Sequence, residues 1–130
     1  MELSPLILLL AAGLVLGQQP PQEPRIRVEV INTTKVHGLA HRGTRYLRDQ
    51  GFDVVSEGTL VSKPAKVPSD TTLVLDRTNH PEWAAHLAKV LSAAGGVPVR
   101  VESRPDTSRY VDVSVLLGAL WRPPPQTFNP

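Results

Sequence analysis

The sequence predicts a two-layer α/β sandwich made by a βαββαβ duplication, with one additional strand towards the C-terminal end. Three observations carry this. Apolar and polar residues alternate over 25–31, 97–101 and 111–117, the period of a strand with one wet face. Two intervening stretches repeat apolar residues at helical spacing. The halves also superpose at a constant offset of 44 residues, with Ala40, Leu47 and Gly51 matching Ala84, Leu91 and Gly95, and Asn32 matching Asp76.

The ends of the 130-residue chain stand apart from this pattern. Residues 1–17 carry one charged side chain, Glu2, and positions 6–16 are eleven consecutive apolar or glycine residues. That run is shorter than the roughly 20 residues of a membrane span. It suits the ~7–15 residue apolar region of an export signal. Residues 1–17 are therefore expected to be a signal peptide, cleaved before Gln18, or a short membrane anchor. Residues 18–24 hold three prolines and read as an extended linker, and 122–130 as a Pro-rich tail. The foldable part is 25–121, large enough to bury a core without staples. The expected location is exported, either periplasmic or otherwise extracytoplasmic, or anchored to the cytoplasmic membrane through residues 3–17.

Each element follows from local pattern. In 25–31, Ile26, Val28 and Val30 face inward, and Arg25, Arg27 and Glu29 face solvent. Thr33 or Thr34 is placed to cap a helix whose stripe is Val36, Leu39, Ala40, Gly43 and Leu47. Gly51 ends that helix, and Phe52 to Ser56 form a second strand. Residues 57–70, with two prolines and Gly58, read as a long loop. A third strand over 72–76 leads into a capping-box-like start, Asn79 with Glu82, and Pro81 in the first turn. Ala84, Leu87, Ala88 and Leu91 make the second stripe, which Gly95 and Gly96 stop. Val97, Val99 and Val101 alternate in a fourth strand, put at a sheet edge by Pro98. Residues 111–117 form a fifth strand that extends the sheet, Gly118 breaks it, and Trp121 folds back over an apolar edge. Two such units, with both helices on one sheet face, make a split, ferredoxin-like βαβ arrangement. The expected core is Ile26, Val28, Val30, Leu39, Leu47, Val74, Leu87, Leu91 and Val113.

Composition excludes several chemistries. There is no cysteine, hence no disulfide, zinc-thiolate site or Cys nucleophile. The twelve carboxylates are scattered, and no nucleophile elbow, phosphate-cradling loop or His-Glu-x-x-His is present. The domain is read as non-enzymatic and without a cofactor. His37 and His41 have the spacing for a shared metal, but no third ligand is identifiable, so no metal is assigned. Net charge is +2, and aromatics are 5%, too few for a base-stacking surface, so nucleic acid is not the expected partner.

Two features point to binding. Asn32, Thr33 and Thr34 close the first strand just before a helix, where backbone N–H groups point outward; the same residues also suit a purely structural turn. His37, His41, Arg45 and Arg48 gather on one side of the first helix, Lys35 precedes them, Arg42 lies further round, and the wet face of the first strand adds Arg25 and Arg27; the set is either a solvated face or an anion-binding surface.

The motifs resemble a known family. Val28, Val30 and Asn32 at a strand end, Gly38, Leu39 and Ala40 opening a helix, Gly51, Phe52 and Val54 after it, and Asp112, Val113, Ser114, Val115, Leu117 and Gly118 near the end are similar to the LytR C-terminal domain. That domain accompanies the catalytic domain of LytR-CpsA-Psr cell-wall proteins or stands alone behind a signal or anchor. The resemblance implies a cell-envelope accessory domain. Its expected partner is cell-wall polymer, peptidoglycan or an anionic glycopolymer; the alternative is protein–protein docking with an envelope enzyme.

Overall fold

Residues 25–60 and 70–125 are described by a computed structural model. The signal or anchor expected at 1–17, the linker expected at 18–24, residues 61–69 of the expected loop and residues 126–130 of the expected tail lie outside the described residues. The elements, in chain order, are β1 Arg27–Asn32, α1 Leu39–Asp49, β2 Asp53–Thr59, β3 Thr72–Asp76, α2 Pro81–Gly95, β4 Val99–Ser103 and β5 Val113–Leu117. A short 3-10 turn, Thr107–Arg109, precedes β5.

The sheet order is β2-β1-β5-β3-β4. β1 pairs in parallel with β2 and with β5, β3 pairs in parallel with β4, and β3 runs antiparallel to β5. Both helices pack on one face, where Val28, Val30, Val74, Val113 and Val115 meet Leu39, Leu47, Leu87 and Leu91 in one core. Leu73, Leu75 and Leu116 form a smaller cluster on the opposite face with Ile31. The two-layer α/β sandwich and the duplication are thus both present. Eight of the nine expected core residues are buried, and Ile26 is half-buried.

The strand order departs from the ferredoxin-like expectation. The two strands of each βαβ unit are neighbours rather than split, and the units run in opposite directions at opposite ends of the sheet. β5 lies between them rather than extending an edge. Burial explains the order. Every residue of β3 and β5 is buried, as central strands with near-continuous apolar runs require. β2 and β4, interrupted by charged residues, take the edges. The Pro98 argument for an edge position of the fourth strand therefore holds. β2 reaches Thr59, into the stretch expected to be loop.

The helix starts also differ from expectation. Neither Thr33 nor Thr34 caps α1; its N-cap is Gly38 at φ +76°, a left-handed conformation that suits glycine. The N-cap of α2 is His80, not Asn79, with no side-chain cap bond. Instead, Asp76 Oδ1 accepts the N–H groups of Thr78 (3.2 Å) and His80 (3.1 Å). Asn32 does the equivalent work 44 residues earlier, accepting the N–H of Thr34 at 2.9 Å. The duplication therefore extends to the turn that leaves the first strand of each unit.

Trp121 closes the helix layer. It is fully buried, stands edge-on to Tyr46 at 6.2 Å and donates its indole N–H to Leu91 O at 2.9 Å. It sits between the helices rather than over an edge: a Cβ on Gly43 of α1 or Gly95 of α2 would come within 3.6 Å or 2.5 Å of its ring. Among the described residues, no helix is long and apolar enough to cross a membrane.

Candidate functional site

The helix starts at Leu39, so Lys35 and His37 lie not on α1, as the helical reading expected of His37, but exposed in the turn before it. His41, Arg45 and Arg48 follow at i, i+4 and i+7, on one helical face. Two of the three are tied to the edge strand β2. His41 Nδ1 lies 3.2 Å from Glu57 Oε1, and Arg48 Nη2 donates to Val54 O at 2.8 Å. The stripe therefore overhangs β2, with Arg45 exposed between its two anchored neighbours. The Glu57 carboxyl is held below the ordinary glutamate range by the Thr44 hydroxyl foremost, then by His41 and Arg48, with desolvation opposing. Thr44 Oγ1 is buried without a partner at hydrogen-bond geometry among the described residues, so it acts as a nearby dipole rather than through a full bond.

The residues of the strand-end turn are brought together, and their polar groups are occupied. Asn32 Oδ1 also accepts the Thr34 hydroxyl at 2.7 Å, and Asn32 Nδ2 donates to Val36 O at 2.8 Å. Thr34 Oγ1 accepts the N–H of Val36, and Thr33 donates its hydroxyl to Leu117 O at 2.8 Å. These bonds weld the turn to the end of β5. The chemistry left to a ligand at this corner is the cation set of Lys35, His37, His41, Arg45 and Arg48. Among the described residues, no three His, Cys, Asp or Glu side chains converge as a metal site would require.

A second polar assembly, missed in sequence, occupies the sheet face opposite the helices. Glu29, expected in solvent, is only 7% exposed. Its carboxylate accepts Arg109 Nε and Nη2 at 2.9 and 2.8 Å and the Ser114 hydroxyl at 3.0 Å. Arg77 Nε donates to Ser114 Oγ at 2.8 Å, and its Nη1 to Arg104 O at 3.0 Å. Burial, followed by the like charge of Arg109, lowers the Arg77 pKa, and Arg104 adds to this. The hint in the sequence was Ser114: a hydroxyl in the middle of a fully apolar strand needs partners on its own face.

The Asp112-to-Gly118 pattern likewise turns inward. Asp112 Oδ2 accepts the N–H of Arg27 at 2.9 Å, and Oδ1 accepts the Thr78 hydroxyl at 3.3 Å. A Cβ on Gly118 would stand 2.5 Å from the backbone of Asp70 and Thr71. These residues position elements rather than substrates.

Fold and surface together define a small mixed α/β domain with a basic helix flank. Residues 25–121 match the LytR_C family, described as LytR cell envelope-related transcriptional attenuator, and the chain belongs to that family. A solved structure, the C-terminal domain of RV0431 in solution, is similar at 22% identity over 78% of this chain and 79% of that one, with a TM-score of 0.43. No curated protein matches the chain.

Proposed function

We propose that this domain is a non-catalytic, extracytoplasmic binding module for cell-wall polymer, peptidoglycan or an anionic glycopolymer. It engages the polymer through Lys35, His37, His41, Arg45 and Arg48, beside the corner built by Asn32, Thr33 and Thr34. Residues 1–17 direct export, with a membrane tether through 3–17 where the signal is retained. The observation that carries the reading is the stripe itself. Arg45 and Lys35 are exposed and make no ion pair or hydrogen bond through their side chains among the described residues, while their neighbours are held in place over β2.

Sedimentation with purified sacculi tests it. Arg48 is bonded to the backbone, so the cleaner variant is the double reversal Lys35→Glu/Arg45→Glu. The polymer is bound chiefly by charge, so binding falls as salt shortens the Debye length from about 10 Å at 0.1 M to about 3 Å at 1 M. The double reversal abolishes sedimentation at low salt, and Lys89→Glu on α2 leaves it unchanged. Wild-type sedimentation of the double reversal would sink the proposal.

The alternative, a docking module for an envelope enzyme, is favoured by Tyr110. This residue is 77% exposed and held at φ +58°, next in sequence to Arg109, whose side chain covers Glu29 on the sheet face opposite the helices. Exposed Tyr and Arg anchors are the common currency of protein interfaces. Loss of co-purification with an envelope enzyme on Tyr110→Ala, with sacculus binding absent throughout, would select this reading.

A further inference from the structure

Trp121 fills the space between α1 and α2 at one end of the helix layer only. At the other end, where α1 finishes and α2 begins, a cleft of about 440 Å³ stays open. Its size falls within the ~300–1,000 Å³ range of small-molecule sites. Phe52, Trp83, Arg25, Gln50 and His86 line it. Phe52 is a core residue, and the half-buried Trp83 packs against the same core, so the aromatic part of the wall is rigid. The indole is fixed further by His80, stacked on it at 3.6 Å and 9°. His80 Nδ1 in turn lies 3.0 Å from Thr78 Oγ1, which donates to Asp112. Asp112 thus reaches the cleft through two intermediaries, as a positioning residue.

The polar part of the wall is unspent. The side chains of Arg25, Gln50 and His86 are exposed and make no hydrogen bond or ion pair among the described residues; His86 only rests against the Phe52 ring at 5.5 Å. The wall therefore offers an aromatic surface, a guanidinium, an amide and an imidazole, and no carboxylate. Aromatic rings receive the C–H face of a pyranose, planar amide and imidazole groups pair with ring substituents and hydroxyls, and a guanidinium takes a carboxylate or phosphate in bidentate fashion.

We propose that this cleft is a sugar-ring subsite for a pyranose bearing an anionic substituent. The ring packs on the exposed part of Trp83, with the buried Phe52 behind it, the substituent meets Arg25, and Gln50 and His86 hydrogen-bond the remainder. The assignment rests on the wall-polymer reading and names the unit of the polymer that is recognised, at a surface separate from the basic stripe.

The test is an NMR titration of the full chain with three probes: a soluble muramic-acid-containing oligosaccharide, a glycosyl phosphate, and a neutral chitooligosaccharide of matching length. The first two distinguish carboxylate from phosphate as the substituent. Trp83 and Trp121 are the two indoles in the chain, so their N–H signals separate the cleft from the buried wedge. An anionic sugar should move the Trp83 indole signal and leave that of Trp121 in place. Arg25→Ala should weaken that probe about tenfold and erase its advantage over the neutral one, and Gln50→Ala should weaken both. Lys35→Glu/Arg45→Glu should leave these titrations unchanged. If no probe moves Trp83, or if Arg25→Ala and Gln50→Ala both bind as wild type, the subsite is overturned. Sacculus sedimentation lost only with Lys35→Glu/Arg45→Glu would then leave the wall-polymer reading standing, and absence of both kinds of binding would remove the two together.

Discussion

The indole N–H of Trp121 points at the carbonyl of Leu91, 2.9 Å away, and closes the chain against the middle of α2. The carbonyl already belongs to the helix, so the bond gives a buried donor its partner without breaking a turn. Around it the two helices have made room with Gly43 and Gly95, the latter so close that an added Cβ would touch the ring. Trp121→Ala is expected to cost ~3–5 kcal/mol, as for other large-to-small aromatic truncations. Gly95→Ala is expected to cost ~1–3 kcal/mol by overpacking, despite the better helix propensity of alanine. Urea denaturation of both variants checks the pair; a stabilised Gly95→Ala would contradict the wedge.

Gly118 makes a sharper version of the same contact. What its Cβ would strike is backbone, Asp70 and Thr71 at 2.5 Å, and not the movable end of a side chain. Gly118→Ala should therefore destabilise by at least the ~1–3 kcal/mol typical of overpacking, through displacement of the chain entering β3. The Gly118 N–H, donated to the Thr72 hydroxyl at 2.9 Å, is the amide to watch in hydrogen exchange.

On the opposite sheet face, Arg109→Ala leaves the Glu29 carboxylate with Ser114 as its remaining partner. A loss of ~1–3 kcal/mol is expected for a buried acceptor deprived of its donor. Adding Glu29→Gln in that background removes the unpaired charge, and should restore part of the loss. A thermal-melt double-mutant cycle reads the coupling, and additive losses would show that the pair does not act as a unit.

Glu57 provides a pH test. Its folded pKa lies below the unfolded value, so its contribution to stability is present above the unfolded pKa and is lost as pH falls through the folded one. Thr44→Val removes the first-named cause and should raise the Glu57 pKa towards the ordinary glutamate value in a carbon-detected titration. His41→Ala should raise it as well.

The parts of the fold legible in sequence were those governed by period. Val28 and Val30, the Leu39 and Leu47 stripe, and the Ala84, Leu87 and Leu91 stripe are all buried, because alternation and helical spacing assign faces directly. The 44-residue offset also held, down to the paired turns of Asn32 and Asp76. Neighbour relations were not legible in the same way. A face assignment for β5 says nothing of which strands flank it, and only its uninterrupted burial marks it as central. Side chains used over long range were hidden for a similar reason. Glu29 reads as solvent-facing until Arg109, 80 residues later, covers it. At the candidate site, Arg45 and Lys35 are as exposed as a helix flank implies, whereas the cleft at Trp83 depends on two helix ends meeting, which no local pattern encodes.

The position of β5 has a consequence for when the molecule is able to fold. The first βαβ unit ends its side of the sheet at β1 and the second at β3, and these two strands are hydrogen-bonded only through β5. A chain lacking residues 113–117 would hold two half-sheets, each with an unsatisfied central edge and half a helix layer, prone to pairing with other chains. Closure must await nearly the last part of the domain to emerge. Long-range pairing of this kind is slow, and it delays commitment to the native state. Under the export proposed above, such a delay keeps the polypeptide threadable until it has crossed the membrane, after which it locks shut from its own C-terminal side.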